Sequence, residues 1–259
     1  YRKNKDVVLI SIMDHHSNDL PHRKHAGKVI HIPLKSHSSG QPGSLDMKSL
    51  QENLEKFQDQ INYVAITGIS NVTGIINPIH DIAELAHSYG ALILVDGAQM
   101  AAHMPVQMSG YSNPAKNIDA FVFSGHKTYV PGSPGVVVCR KDILTAIEPE
   151  ELGGGMVEDV FVDKYIIKDY FPDREEAGTP NIPGAIALVT AIEIMDRVGM
   201  ETIYSEEDEL VLNTMERMGK IPDVIIYGES NNDKCSRAGS ISFNIKGMHH
   251  GLVAAILND

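Results

Sequence analysis

The sequence predicts an α/β protein built on a mainly parallel, doubly wound sheet, and three observations carry that expectation. Short, β-branched apolar runs alternate with stretches of helical periodicity. Several runs are apolar throughout instead of alternating, as strands covered on both faces are. Polar residues cluster just after the runs, where open α/β sheets hold their ligands.

The strands expected in order are Asp6–Ile12, Lys28–Leu34, Asn62–Gly68, Ala91–Val95, Ile118–Phe123 and Gly135–Cys139. Between them, Leu45, Leu50, Leu54 and Phe57 share one helical face. The next helix is expected to be capped by Asn77, with Pro78 in its first turn, Ile82, Ala83 and Ala86 facing inward, and Gly90 ending it. After about Pro172 the texture changes. A long apolar helix, Pro183–Val198, closes at Gly199, and a charged amphipathic helix covers Glu201–Met218. Two strands, Asp223–Gly228 and Ser240–Ile245, and a last helix from His250 read as the opening of a second, smaller α/β domain. Tyr1 is not a start residue, so the reading expects a piece of a longer protein.

Composition narrows the classes of function. The 259 residues are 42% apolar and 22% charged, which is globular and long enough for a sizeable core. No apolar run reaches the roughly 20 residues that span a bilayer, so no membrane partner is expected. With 22 basic and 34 acidic side chains the net charge is −12, which argues against a nucleic-acid binder. Two cysteines, Cys139 and Cys235, make no disulfide framework, and a reducing cytoplasm is the expected setting.

Four clusters carry the candidate chemistry. In Phe121–Lys127 (FVFSGHK) an apolar strand ends in Ser124, His126 and Lys127. A lysine at a strand end in low-dielectric surroundings suits Schiff-base chemistry, because burial favours the neutral amine; the plain alternative is a solvated loop lysine. In Ala91–Gln99 (ALILVDGAQ), Asp96 closes an apolar strand and Gln99 follows. A carboxylate there needs a partner: a metal, a ribose or a protonated pyridine nitrogen, unless it merely caps a helix. Asn71 lies in SNVTG after a third strand, and His15 in DHHSN after the first. Adjacent histidines on an extended segment point apart, His22, His25, His31 and His37 lack ligand spacing, and no CxxC or HExxH occurs, so no metal is expected. LGGGM is neither GxGxxG nor a Walker loop, and no glycine fingerprint follows a strand, which argues against an NAD-binding Rossmann domain.

Six segments in collinear order, DHHSN, SNVTG, NPIHDIAELAHSYGALILVDGAQ, FVFSGHKTY, EEAGTPNIPGA and RAGSISFNIKGMHH, resemble the class V aminotransferases among the fold-type I pyridoxal phosphate enzymes, in particular the cysteine desulfurase and selenocysteine lyase branch. The resemblance runs from about residue 6 to residue 256. It implies pyridoxal 5'-phosphate as cofactor, a large cofactor domain over 1–198 and the start of a small domain over 199–259. Lys127 matches the lysine that links to the cofactor and later moves protons, and Asp96 the acid paired with the pyridine nitrogen. Gln99 and Asn71 resemble the residues beside the phenolic oxygen, and His15 the histidine stacked on the ring that assists acid–base steps. Ser124 and His126 resemble phosphate ligands. Thr179, in AGTPN, resembles the threonine that reaches the phosphate in the neighbouring subunit, which implies a homodimer.

The activity so implied is release of sulfur from L-cysteine to give L-alanine, with a sulfur-acceptor protein as a further partner. The alternatives are another class V reaction (a C–S lyase, kynureninase, epimerase or transaminase) and an inactive truncated scaffold. Neither Cys139 nor Cys235 matches the family's nucleophilic cysteine, and TYVPGSPG carries proline where relatives have a glycine-rich loop. Met100 after Gln99 is expected to give the site a less polar neighbour.

Overall fold

A computed structural model of the chain describes residues 4–36, 42–228 and 237–258; His37 and Cys235 lie outside the described residues. The elements run β1 (Val7–Ser11), α1 (His16–His25), β2 (Lys28–Ile32), β3 (Leu34–Ser36), β4 (Pro42–Leu45), α2 (Met47–Phe57), β5 (Ile61–Thr67), α3 (Ile79–Ser88), β6 (Leu92–Asp96), β7 (Ala120–Ser124) and β8 (Gly135–Cys139). Beyond these come α4 (Lys141–Thr145), β9 (Val157–Val160), β10 (Tyr165–Ile167), α5 (Ile182–Val198), α6 (Met200–Gly219), β11 (Val224–Ile226), β12 (Phe243–Ile245) and α7 (His250–Asn258).

The main sheet has the order β2-β1-β5-β6-β7-β8. Its pairs are parallel except β7–β8, so the sheet is mainly parallel, as predicted. Alternation along β1 sorts the two faces. Val7 and Leu9 join a core with Leu50 and Leu54 of α2 and Ile82, Ala83 and Ala86 of α3. Val8, Ile10 and Ala65 face the other way, with Ala26 and Tyr63 packed on them, and Tyr63 Oη lies 2.9 Å from His22 Nδ1 of α1. Helices on both faces explain why these strands are apolar throughout.

Three local expectations are corrected. Asn77 does not cap α3: Pro78 occupies the cap position, while the buried Asn77 amide donates to Thr67 O at 2.8 Å and so ties the helix entry to the end of β5. Leu45 ends β4 instead of opening α2, which Asp46 caps by accepting from the Lys48 and Ser49 N–H groups. DHHSN is not extended throughout, because His15 caps α1 and His16 is its first residue.

At the amino end of β7, away from the cavity, Asp119 is internally paired. Asp119 is buried between His87 Nε2 (2.8 Å), Arg140 Nη1 (2.8 Å) and Ile93 N–H (2.9 Å). Burial pushes its carboxyl up, but the His87 and backbone hydrogen bonds outweigh that and leave it below the ordinary range. No described helix is long and apolar enough to cross a membrane.

Candidate functional site

The chain passes from β1 out to β2 and then returns to place β5 on the other side of β1, which creates a topological switch point. Ligands of open α/β sheets sit outside the carboxyl ends of strands at such points. A cavity of about 360 Å³ lies there, lined by residues that include His15, Asn71, Asp96, Gln99, Ser124, His126 and Lys127. That volume lies within the roughly 300–1,000 Å³ range of small-molecule sites. Seven of the eight residues singled out from the sequence therefore share one cavity; the eighth, Thr179, is exposed and does not line it.

Strand register explains the convergence. Thr67 is the last residue of β5 and pairs with Asp96, the last of β6, while Asp96 pairs with Val122 of β7. Gly68 N–H donates to Asp96 O and Gly97 N–H to Val122 O, so β5 and β6 end level with each other and β7 runs two residues further. Ser124 ends β7, and the chain turns directly into a single 3-10 turn, Gly125–Lys127. That turn is held by Gly125 N–H to Pro134 O and Thr128 N–H to Gly125 O, so the proline-bearing loop after Lys127 braces it.

Asp96 is 6% exposed, and among the described residues its recorded hydrogen bond comes from Ala98 N–H at 2.9 Å. No helix follows it that it could cap. A buried carboxylate so thinly satisfied is costly unless a ligand completes it. Gly97 beside it has no room for a side chain, since a Cβ there would lie 1.9 Å from the Phe121 ring. Gly97→Ala is therefore expected to cost about 3 kcal/mol or to prevent folding, measured by urea unfolding.

His15 is exposed at the N-cap of α1, with Nδ1 2.7 Å from Ser17 Oγ. Met100 is buried in the core against Gly68 and is not a lining residue, so the less polar neighbour expected after Gln99 turns away from the cavity. The residues that sequence reasoning missed are Ser17, which depends on recognising α1, and Thr67, which the register with Asp96 locates. Cys139 is half-buried at the end of β8, and burial pushes its thiol up, away from nucleophilic character. Among the described residues no group of three His, Cys, Asp or Glu side chains is placed to hold a metal ion.

Asp14, next to His15, is a half-buried acid. It accepts from Ser11 Oγ, from Ser11 N–H (3.1 Å) and from Asn18 Nδ2 (2.8 Å). Burial lifts its carboxyl from 3.8 to about 6, the Ser11 and Asn18 hydrogen bonds oppose the rise, and the Asp96 charge adds to it. A pKa raised in the folded state means a contribution that is whole below the ordinary carboxyl range and lost as pH climbs through about 6. The wild-type chain is thus expected to lose stability between about pH 4 and 6 relative to Asp14→Asn, read from Tm against pH.

Comparison with known proteins agrees with this architecture. The family model for aminotransferase class-V matches residues 2–259. The chain is 34% identical over 257 residues to a probable cysteine desulfurase of Halalkalibacterium halodurans, covering 98% of this chain and 59% of that protein. It is 35% identical over 245 residues to a cysteine desulfurase of Shigella flexneri, covering 95% and 57%. The apo structure of a cysteine desulfurase from Thermococcus onnurineus superposes with a TM-score of 0.86 at 33% identity, covering 99% of this chain and 61% of the other. A cysteine desulfurase structure from Escherichia coli gives 0.82 at 28% identity, covering 98% and 60%. The chain thus spans about three fifths of the length of the relatives it matches. By its sequence over nearly its whole length, and by its fold, the chain belongs to the class V aminotransferase family.

Proposed function

We propose that this chain is the cofactor-binding part of a pyridoxal phosphate-dependent cysteine desulfurase. One observation carries the reading: a primary amine, a buried carboxylate, two amides and a Ser–His pair line one cavity at the sheet's switch point. That donor set suits the four functional ends of pyridoxal phosphate. The Lys127 amine suits the aldehyde, the Asp96 carboxylate the pyridine nitrogen, the Gln99 and Asn71 amides the phenolic oxygen, and Ser124 and His126 the phosphate. When bound, the cofactor supplies an electron sink for the substrate α-carbon.

The roles follow from chemistry. Lys127 would hold the cofactor at its aldehyde end, and its amine is the group placed to take the proton from the substrate α-carbon. Asp96, in low-dielectric surroundings, holds the pyridine proton in place. His15, exposed at the cavity's rim, would pack against the cofactor and serve proton transfer. The sulfur of L-cysteine then passes to a thiolate from outside this chain, which leaves alanine and a protein-bound persulfide, with a sulfur-acceptor protein receiving the sulfur afterwards. Homologues named cysteine desulfurase support this choice over other class V reactions.

The finer expectations belong to the same proposal. Residues 1–198 form the large domain and 199–259 begin the small one. Thr179 reaches the phosphate of a second subunit in a homodimer, a role compatible with its exposure outside this chain's own cavity and with the apolar Ile182, Ile186 and Val189 exposed on the following helix. Cytoplasmic residence fits the scarcity of cysteine. Full-length protein supplied with L-cysteine and a reductant is expected to form alanine and sulfide in equal amounts; formation of neither sinks the desulfurase reading.

A further inference from the structure

Arg237 is 2% exposed and among the largest fully buried side chains, an unusual place for a guanidinium, which is costly to desolvate. It follows β11 in sequence. Its Nη1 donates to Thr73 O at 2.7 Å and its Nη2 to Tyr227 O at 2.8 Å, so one planar fork joins the SNVTG turn to the chain just after β11. The backbone repeats the link. Arg237 bridges Ile75 in antiparallel fashion, Ala238 N–H donates to Gly74 O at 2.8 Å, and Ser242 Oγ donates to Val72 O.

Two glycines make room for this clasp. Gly74 has φ +72°, and a Cβ there would lie 2.3 Å from Ser240 O. Gly228 has φ +92°, and a Cβ there would lie 2.4 Å from Arg237 Nη2. The turn so gripped is short and internally tied, with Gly74 N–H on Ser70 O and Ser70 N–H on Ile75 O. Asn71, which lines the cavity, sits on this turn two residues before Thr73.

We infer that Arg237 is a positioning residue for Asn71: from the C-terminal part of the chain it fixes the 70–76 turn and thereby the place of the Asn71 amide in the cavity. The inference rests on reading that cavity as the cofactor site only for its effect on cofactor binding, not for the clasp itself. A single ammonium does not reproduce a fork that spans two carbonyls, so lysine is not equivalent to arginine at this position.

The test uses full-length protein carrying Arg237→Gln or Arg237→Lys, with Ser242→Ala as a milder variant that loosens the same turn if the others fold poorly. Hydrogen exchange at the Gly74 and Ala238 amides is expected to quicken about tenfold or more, with Ile10 and Ala65 unchanged. Unchanged exchange at Gly74 overturns the clasp, and full protection in Arg237→Lys overturns the fork. The pyridoxal phosphate Kd is expected to rise about tenfold in Arg237→Gln, yet to show little further rise when the substitution is made in an Asn71→Ala background. Fully multiplicative effects overturn action through Asn71. If wild-type protein binds no pyridoxal phosphate, the cofactor reading fails while the exchange data still decide the clasp.

Discussion

Replacing Lys127 with alanine is expected to abolish covalent retention of pyridoxal phosphate and to lower turnover of the full-length protein by about ten-thousandfold or more. Among the residues lining the cavity, Lys127 is the one primary amine. It is presented by a single 3-10 turn whose start is fixed by the last residue of β7 and whose end is braced by the following loop. Dialysis against buffer, followed by the visible spectrum, separates loss of the covalent link from loss of all binding. The variant is expected to bind weakly and reversibly, because Asp96, Ser124 and His126 remain. Turnover within a factor of ten of wild type would remove Lys127 from the chemistry.

Asp96→Ala is expected to lower kcat by about a thousandfold, the scale seen when one preorganised charge partner is taken from a reacting centre. Its effect on the empty protein should run the other way. The carboxylate is 6% exposed with a single recorded hydrogen bond from Ala98 N–H among the described residues, so alanine there is expected to leave Tm unchanged or raise it by a few degrees. A purely structural aspartate predicts the opposite pair of results, a fall in Tm with activity preserved. Measuring kcat on the loaded full-length protein and Tm on the empty one distinguishes the two.

How much of this was legible in the sequence depended on whether an element declares itself locally. β1, β5, β6 and β7 are apolar runs ended by polar residues, so both the strands and the sites at their ends could be read from the chain. Asp96 and Lys127 were visible for that reason. α1 was not, because HSNDLPHRKH is polar and carries Pro21 inside the helix; its inward side is made by Asn18, Asp19 and His22, not by an apolar stripe. Missing α1 hid Ser17 and made His15 and His16 look like neighbours on an extended segment. The antiparallel β8 and the β9–β10 hairpin depend on pairing between strands, which no local pattern specifies. Arg237 opens the segment RAGSISFNIKGMHH with no local signal of burial, and the packing around Gly74 and Gly228 reveals it as buried.

The proposed function places pyridoxal phosphate in one cavity, at the ends of β5, β6 and β7, held through Lys127. Incubating the full-length protein with the cofactor, reducing with borohydride and mapping the adduct by peptide mass spectrometry tests it directly. One pyridoxyl group per chain is expected, carried on the peptide that contains Lys127. An adduct spread over surface lysines such as Lys116 and Lys168, with none at Lys127, would contradict it.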